Sequence, residues 1–170
     1  YMKEELVDVY NKDKNITGKI IKREDINLLN EDEYIITVHC FIINSLNQIL
    51  LTQRSLTKNR GGKWEETHGA LKAGETSVCG IQRELKEEIG IDVQTSELKL
   101  FQILRRKNKF RDIYILKKDI PLTDVKYNDG EVMNCKYVTL EQFKKMIQNN
   151  ECTYKKFEDT IFYNTDIIDI

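Results

Sequence analysis

The stretch "HGALKAGETSVCGIQRELKEEIGI", His68 to Ile91, holds four glutamates, three of them within the five residues Glu84 to Glu88. Val78, Ile81, Leu85 and Ile89 recur at helical spacing, Thr76 stands where an N-cap hydroxyl is wanted, and Gly90 follows as a C-cap. The spacing predicts a helix between two loops. On such a helix Glu84, Glu87 and Glu88 fall at i, i+3 and i+4, beside the apolar stripe. Like charges at that spacing repel by a few tenths of a kcal/mol per pair, more where the dielectric is low. Two readings account for the crowding. One is a solvated helix face with Arg83 and Glu87 as an i, i+4 ion pair. The other is a site for a hard cation, Mg²⁺ or Mn²⁺, which prefers oxygen ligands and bridges to phosphates. Helical periodicity alone leaves both open.

Outward from the helix, the chain reads as strands and hairpins. "ELVDVYNKDKNITGKIIKR" places two β-rich runs around a polar turn, and "YIITVHCFIIN" with "QILLTQR" reads as a second hairpin whose apolar runs suit core strands. "RSLTKNRGGKWEETHG" is read as a loop around Gly61 and Gly62. Beyond the helix, "LKLFQILRR" and "FRDIYILKK" resemble a third hairpin, and "DGEVMNCKYV" contains a further strand. Thr139 and Gln142 form a capping box for a helix over "LEQFKKMIQN", and Phe157, Ile161 and Phe162 suggest a final amphipathic helix. Strands interleaved with helices indicate an α/β or α+β layer fold.

At 170 residues the chain suits one domain, 1–170, with residues 1–33 as an N-terminal extension, a hairpin packed on the rest. With 27 basic and 28 acidic residues the charges nearly cancel, so no nucleic acid and no membrane surface is expected as a partner. The apolar runs are short of the ~20 residues that span a bilayer, and a cytoplasmic location is expected. Cys40, Cys79, Cys135 and Cys152 lack any C-x-x-C pair, which argues against a zinc or redox motif.

Taken together, Gly69, Glu75, Arg83, Glu84, Leu85, Glu87, Glu88, Gly90 and Ile91 match, at every spacing, the box of the Nudix hydrolases, and the chain resembles that family. Trp64 just upstream and Glu131-Val132 before a strand and helix extend the likeness over residues 34–149. The resemblance implies a Nudix-type α/β/α sandwich with a mixed β-sheet and a loop-helix-loop catalytic motif. It also implies metal-dependent hydrolysis of the pyrophosphate linkage of a nucleoside diphosphate joined to another group, a small-molecule diphosphate substrate, and Mg²⁺ as cofactor, with Mn²⁺ as alternative. A homodimer stays open.

Carried over residue by residue, the resemblance makes Glu87 and Glu88 the main metal ligands, Glu84 a ligand or the base that activates water, and the Gly69 carbonyl a further ligand. Arg83 would orient Glu84, and Glu131 is the alternative base. Glu75, Arg54 and Arg60 are candidates for substrate binding, Arg because its planar fork of donors suits phosphate. His39 and His68 are read as structural or solvated, each without a partner in view. His68 stands where many members have Gly.

Two other functions compete. The N-terminal segment with "LVDVY" and Arg23 is similar to the extension of Nudix proteins related to isopentenyl-diphosphate isomerase. That isomerase needs a Cys in the stretch after the Trp, whereas Trp64 to Glu75 contains none. A non-catalytic nucleotide-sensing module would be expected to lose a box carboxylate, and all are present. "LLTQRS", Leu50 to Ser55, is weakly similar to coenzyme A pyrophosphatases.

Overall fold

A computed structural model describes residues 5–128 and 130–170. The first four residues of the expected extension, and Asp129 before Glu131, lie outside the described residues.

Nine strands and two α-helices are present among the described residues. Strand β1 (Leu6–Tyr10) pairs antiparallel with β2 (Ile16–Lys22), Val7 facing Ile21. The turn between them closes on Asn11, whose Oδ1 accepts from the amides of Asp13 and Asn15 at 3.0 Å. The other strands are β3 (Ile35–Ile43), β4 (Ile49–Arg54), β5 (Trp64–Glu65), β6 (Thr67–Ala70), β7 (Leu98–Arg106), β8 (Lys109–Lys117) and β9 (Val132–Val138). Their order is β5-β4-β3-β8-β7, with β6 paired to β3 and β9 to β4. A multistranded sheet with few helices is the α/β class expected. The helices are α1 (Ser77–Ile89) and α2 (Leu140–Gln148).

Residues through Cys40, together with His68–Glu84 and Val93–Tyr114, make one compact unit; Phe41–Thr67, Leu85–Asp92 and Ile115–Ile170 make a second. In the first, Val7 of the hairpin, Ile35 and Ala70 are buried against one another, with Ile21, Ile26 and Leu29 packed around them. Each such Val or Ile side chain contributes roughly 1.5–3 kcal/mol when removed from water. A second tie is polar. Asp112, fully buried, accepts from Lys14 Nζ at 2.6 Å and from Ser77 Oγ at 2.6 Å, and Tyr114 donates to Ser77 at 2.9 Å. The turn of the N-terminal hairpin is thereby linked to the first residue of α1.

In the second unit β4 pairs antiparallel with β9, Leu51 facing Lys136. Phe41 meets Phe162 edge to face at 5.0 Å between centroids, and Phe143 meets Phe162 at 6.2 Å. The capping box of α2 is present in both directions, Thr139 accepting from Gln142 N and Gln142 from Thr139 N.

Two sequence expectations are corrected. The segment 54–69, read as loop, contains β5 and β6: Trp64 and Glu65 pair with Gln53 and Thr52 of β4. Strands of two and four residues, defined by their partners in the sheet, are too short to show an alternation of their own. The tail forms three separate 3₁₀ turns, Phe157–Asp159, Ile161–Tyr163 and Ile167–Asp169, instead of an amphipathic α-helix. Thr160 is extended between the first two (φ −93°, ψ 158°), and its hydroxyl donates to the Phe157 carbonyl at 2.7 Å, a local bond that competes with helix continuation.

Candidate active site

Helix α1 begins where Thr76 can cap it, its Oγ1 3.4 Å from the Cys79 amide, and ends at Gly90, whose φ of +71° few other residues adopt. Ile81, Leu85 and Ile89 are fully buried, as their spacing requires. Glu84 and Glu88, placed beside that stripe from the sequence, are themselves buried, at 7% and 4% exposure. The spacing signal locates them beside the core but not under cover.

Within the first unit, Arg83 gathers the acidic groups. Its Nε meets Glu75 Oε1 at 2.6 Å and a terminal nitrogen meets Glu75 Oε2 at 2.9 Å, a bidentate pair. The other terminal nitrogen meets Glu84 Oε1 at 2.7 Å, and the Ala70 carbonyl accepts at 3.0 Å. Burial works against the Arg83 charge, but the hydrogen bonds and charges of Glu75 and Glu84 outweigh it and raise its pKa. For Glu75, burial pushes the pKa up, while Arg83 and the Lys72 amide (2.9 Å) pull harder and hold it below the usual carboxylate range.

Gly69 completes this cluster. A Cβ built there would lie 2.0 Å from Glu84 Oε1 and 2.1 Å from its carboxyl carbon, so the Glu84 carboxylate occupies the space of the missing side chain. Glu87 and Glu88 continue along α1 at i+3 and i+4 from Glu84. Glu75, a substrate-binding candidate from the sequence, shares the Arg83 guanidinium with Glu84.

In the second unit, Arg54 reaches Glu65 Oε1 at 2.6 Å and donates from Nε to the Asn59 carbonyl at 2.9 Å. These bonds close the 55–63 loop. Arg60 lies on that loop, exposed, with φ 58° and no ion pair among the described residues. Lys58 forms an ion pair with Glu131, and the Glu131 carbonyl accepts from the Ser55 amide at 2.8 Å. Trp64 is buried, with Lys136 Nζ 4.2 Å from its ring centre.

His39 and His68, read as lacking partners, are each other's partner. Their rings stack at 5.0 Å with 7° between planes, and Thr37 Oγ1 is 3.0 Å from His39 Nε2. Neither local sequence nor spacing signals a contact between residues 39 and 68.

The NUDIX domain family description matches residues 33–157, and the chain belongs to that family. Members are pyrophosphohydrolases, generally cleaving pyrophosphate bonds of nucleoside diphosphate derivatives. The chain is 29% identical to Nudix hydrolase 3 of Arabidopsis thaliana over 92% of its own length but only 22% of that protein. An uncharacterised Nudix hydrolase of Listeria monocytogenes is 27% identical over 85% of both chains. Isopentenyl-diphosphate Delta-isomerase 1 of Photorhabdus laumondii is 28% identical over 74% of this chain and 76% of that one. A solved structure from Deinococcus radiodurans shares the fold with a TM-score of 0.72 at 23% identity, covering 87% of this chain and 91% of that one. No helix among the described residues is long and apolar enough to cross a membrane.

Proposed function

We propose that the chain hydrolyses the pyrophosphate linkage of a small nucleoside diphosphate derivative, with Mg²⁺, or Mn²⁺ in its place, held by Glu87, Glu88 and the Gly69 carbonyl, and with Glu84 as a further ligand or as the base. The observation that carries this reading is the cluster inside the complete box, with Arg83 bound to Glu75 and Glu84 and the Glu84 carboxylate seated on Gly69. One guanidinium faces two carboxylates there, which leaves an excess of negative charge beside a buried Glu84. An all-oxygen donor set of this kind fits a hard divalent cation. When bound, that cation neutralises charge on phosphate oxygens and lowers the pKa of a coordinated water.

The chain's own residues divide the remaining work. Arg83 fixes the Glu84 carboxylate in one orientation, and Glu84 takes the proton of the attacking water, with Glu131 as the second candidate for that role. Glu131 is paired with Lys58 and partly exposed, so it must first exchange that partner. Arg60, exposed and without an ion pair among the described residues, is the more available phosphate contact, because Arg54 is committed to Glu65.

Similarity to an isopentenyl-diphosphate isomerase supports a second reading, an isomerase-like activity on an allylic diphosphate. The absence of Cys between Trp64 and Glu75 favours hydrolysis. Hydrolysis of a panel of nucleoside diphosphate derivatives, with and without Mg²⁺ or Mn²⁺, tests the proposal, with Glu84→Gln as the blank. Metal-dependent product absent from the blank supports it. A thermal shift with nucleotide but no product from any compound would redirect the reading to a sensor.

A further inference from the structure

Strand β7 ends the seven-stranded sheet, and among the described residues no strand pairs with its outer edge. It is nine residues long, and only Leu98 is buried. Leu100 and Ile103 are 45% and 46% exposed. Lys99, Arg105 and Arg106 form no ion pair among the described residues. Open edges are usually shortened, bulged, interrupted by Pro or Gly, or lined with charged side chains as β7 is by Lys99, Arg105 and Arg106, because their free amide and carbonyl groups template pairing with another chain. Another open edge of this unit, β2, follows that rule: Gly18 at φ +85° breaks its line and Lys19 is paired with Glu33 at 2.9 Å. β7 contains no Pro or Gly and remains continuous.

We propose that the edge of β7 binds an extended acidic segment of a partner protein, which adds to the sheet as a further strand. This surface is independent of the hydrolytic reading. Alternate residues of a strand share a face, so Lys99, Phe101, Ile103 and Arg105 line one side in the order cation, apolar, apolar, cation. One pairing with a second copy of β7 is opposed by charge. The antiparallel register that sets Leu100 against Leu104 also sets Lys99 against Arg105, and like charges directly opposite one another are unfavourable. The complement is a strand with acidic groups at the outer positions and β-branched residues between them, E-x-V-x-V-x-E along one face. The backbone edge supplies hydrogen bonds and the cations supply the selection. Cations also neighbour one another on the adjacent strand. On the neighbouring β8, the ammonium of Lys109 is held below the usual lysine range by burial first, then by Arg111 and Arg23.

The test uses the full chain and two fluorescein-labelled peptides of equal composition and charge, Glu-Thr-Val-Thr-Val-Thr-Glu and the permuted Val-Thr-Glu-Thr-Glu-Thr-Val. Anisotropy should show the first binding about tenfold more tightly than the second, the sum of four matched cross-strand pairs. Hydrogen exchange of the Leu98–Arg106 amides should slow with the first peptide only. Lys99→Glu/Arg105→Glu should abolish that binding, and a peptide with Lys in place of both Glu should restore it, which separates lost recognition from lost folding. Equal binding of the two peptides would reduce the edge to a non-specific anion surface and overturn the proposal. So would unchanged β7 exchange, or failure of the charge-reversed peptide to bind the reversed variant while that variant still unfolds cooperatively.

Discussion

Glu84 and Gly69 are complementary in shape: the carboxylate of one fills the volume in which any side chain on the other would stand, 2.0 Å from a built Cβ. The contact defines the position of the proposed base more narrowly than the helix alone does.

Gly69→Ala is therefore expected to push the Glu84 carboxylate aside. Displacing a reacting group by about 1 Å costs on the order of 10²-fold in rate, and overpacking costs about 1–3 kcal/mol in stability. The double variant Gly69→Ala/Glu84→Ala should regain most of the lost stability, since the clash is gone, and stay inactive. Urea unfolding and turnover on one substrate of the panel read both quantities. Recovery of neither, or a single variant with wild-type rate, would deny the contact its role.

Arg83 answers two carboxylates, so the chemistry of its head group matters more than its charge. Arg83→Ala leaves Glu84 buried with its principal partner removed, and a loss of about 3 kcal/mol is expected, the low end for breaking a buried pair because Glu75 stays 22% exposed. Arg83→Lys keeps the charge but cannot reach both carboxylates with a planar fork, and should recover less than half of that loss. Denaturant midpoints of the three proteins decide the matter.

The same pair predicts the acid limb of stability. Glu75 has its pKa depressed in the folded state, burial opposing and Arg83 and the Lys72 amide prevailing. Its ionised form therefore stabilises the fold fully above the ordinary carboxylate range, and that stabilisation disappears as pH falls through the depressed folded value. Glu75→Gln should be less stable than wild type near neutrality, with the gap closing in acid. Melting temperatures of the two proteins measured from neutral pH down to the acid transition show whether the curves converge. Parallel curves would mean that Glu75 does not titrate with folding.

Much of this arrangement was legible in the chain itself. The β1–β2, β3–β4 and β7–β8 hairpins, α1 with Thr76 and Gly90 at its ends, and the Thr139–Gln142 box all rest on signals spanning a few neighbouring residues. What escaped was non-local. β5 exists because Gln53 and Thr52 face it, and His39 meets His68 across 29 positions of chain. The tail misled for the opposite reason: Phe157, Ile161 and Phe162 have helical spacing, but the Thr160 hydroxyl offers the backbone a cheaper local bond. At the site, spacing alone put Glu84 beside the core, while the shared use of Arg83 by Glu75 and Glu84 depends on a loop conformation that no period encodes.

The four thiols should differ sharply in reactivity. Cys79 is exposed on α1, whereas Cys40, Cys135 and Cys152 are buried. Burial pushes the Cys152 thiol up to about 12, with Glu151 adding to it, and raises Cys135 as well. A disulfide reagent at mildly alkaline pH should label one thiol in the native protein and four after denaturation, and Cys79→Ser should remove the fast one. Rapid native labelling of a second thiol would show that a buried strand or the tail opens on that timescale.

Lys14 and Asp112 tie the N-terminal hairpin to the start of α1, and the Asp112 carboxylate is buried. Lys14→Met should leave that charge with only the Ser77 hydroxyl, destabilising the fold by about 3 kcal/mol, whereas Lys14→Met/Asp112→Leu removes both charges and should cost far less. Because Ser77 opens the helix that bears the glutamates, the single variant should also loosen the first turn of α1. Hydrogen exchange at residues 77–81 would report that loosening, and unchanged protection there, with stability lost, would confine the pair to anchoring the hairpin.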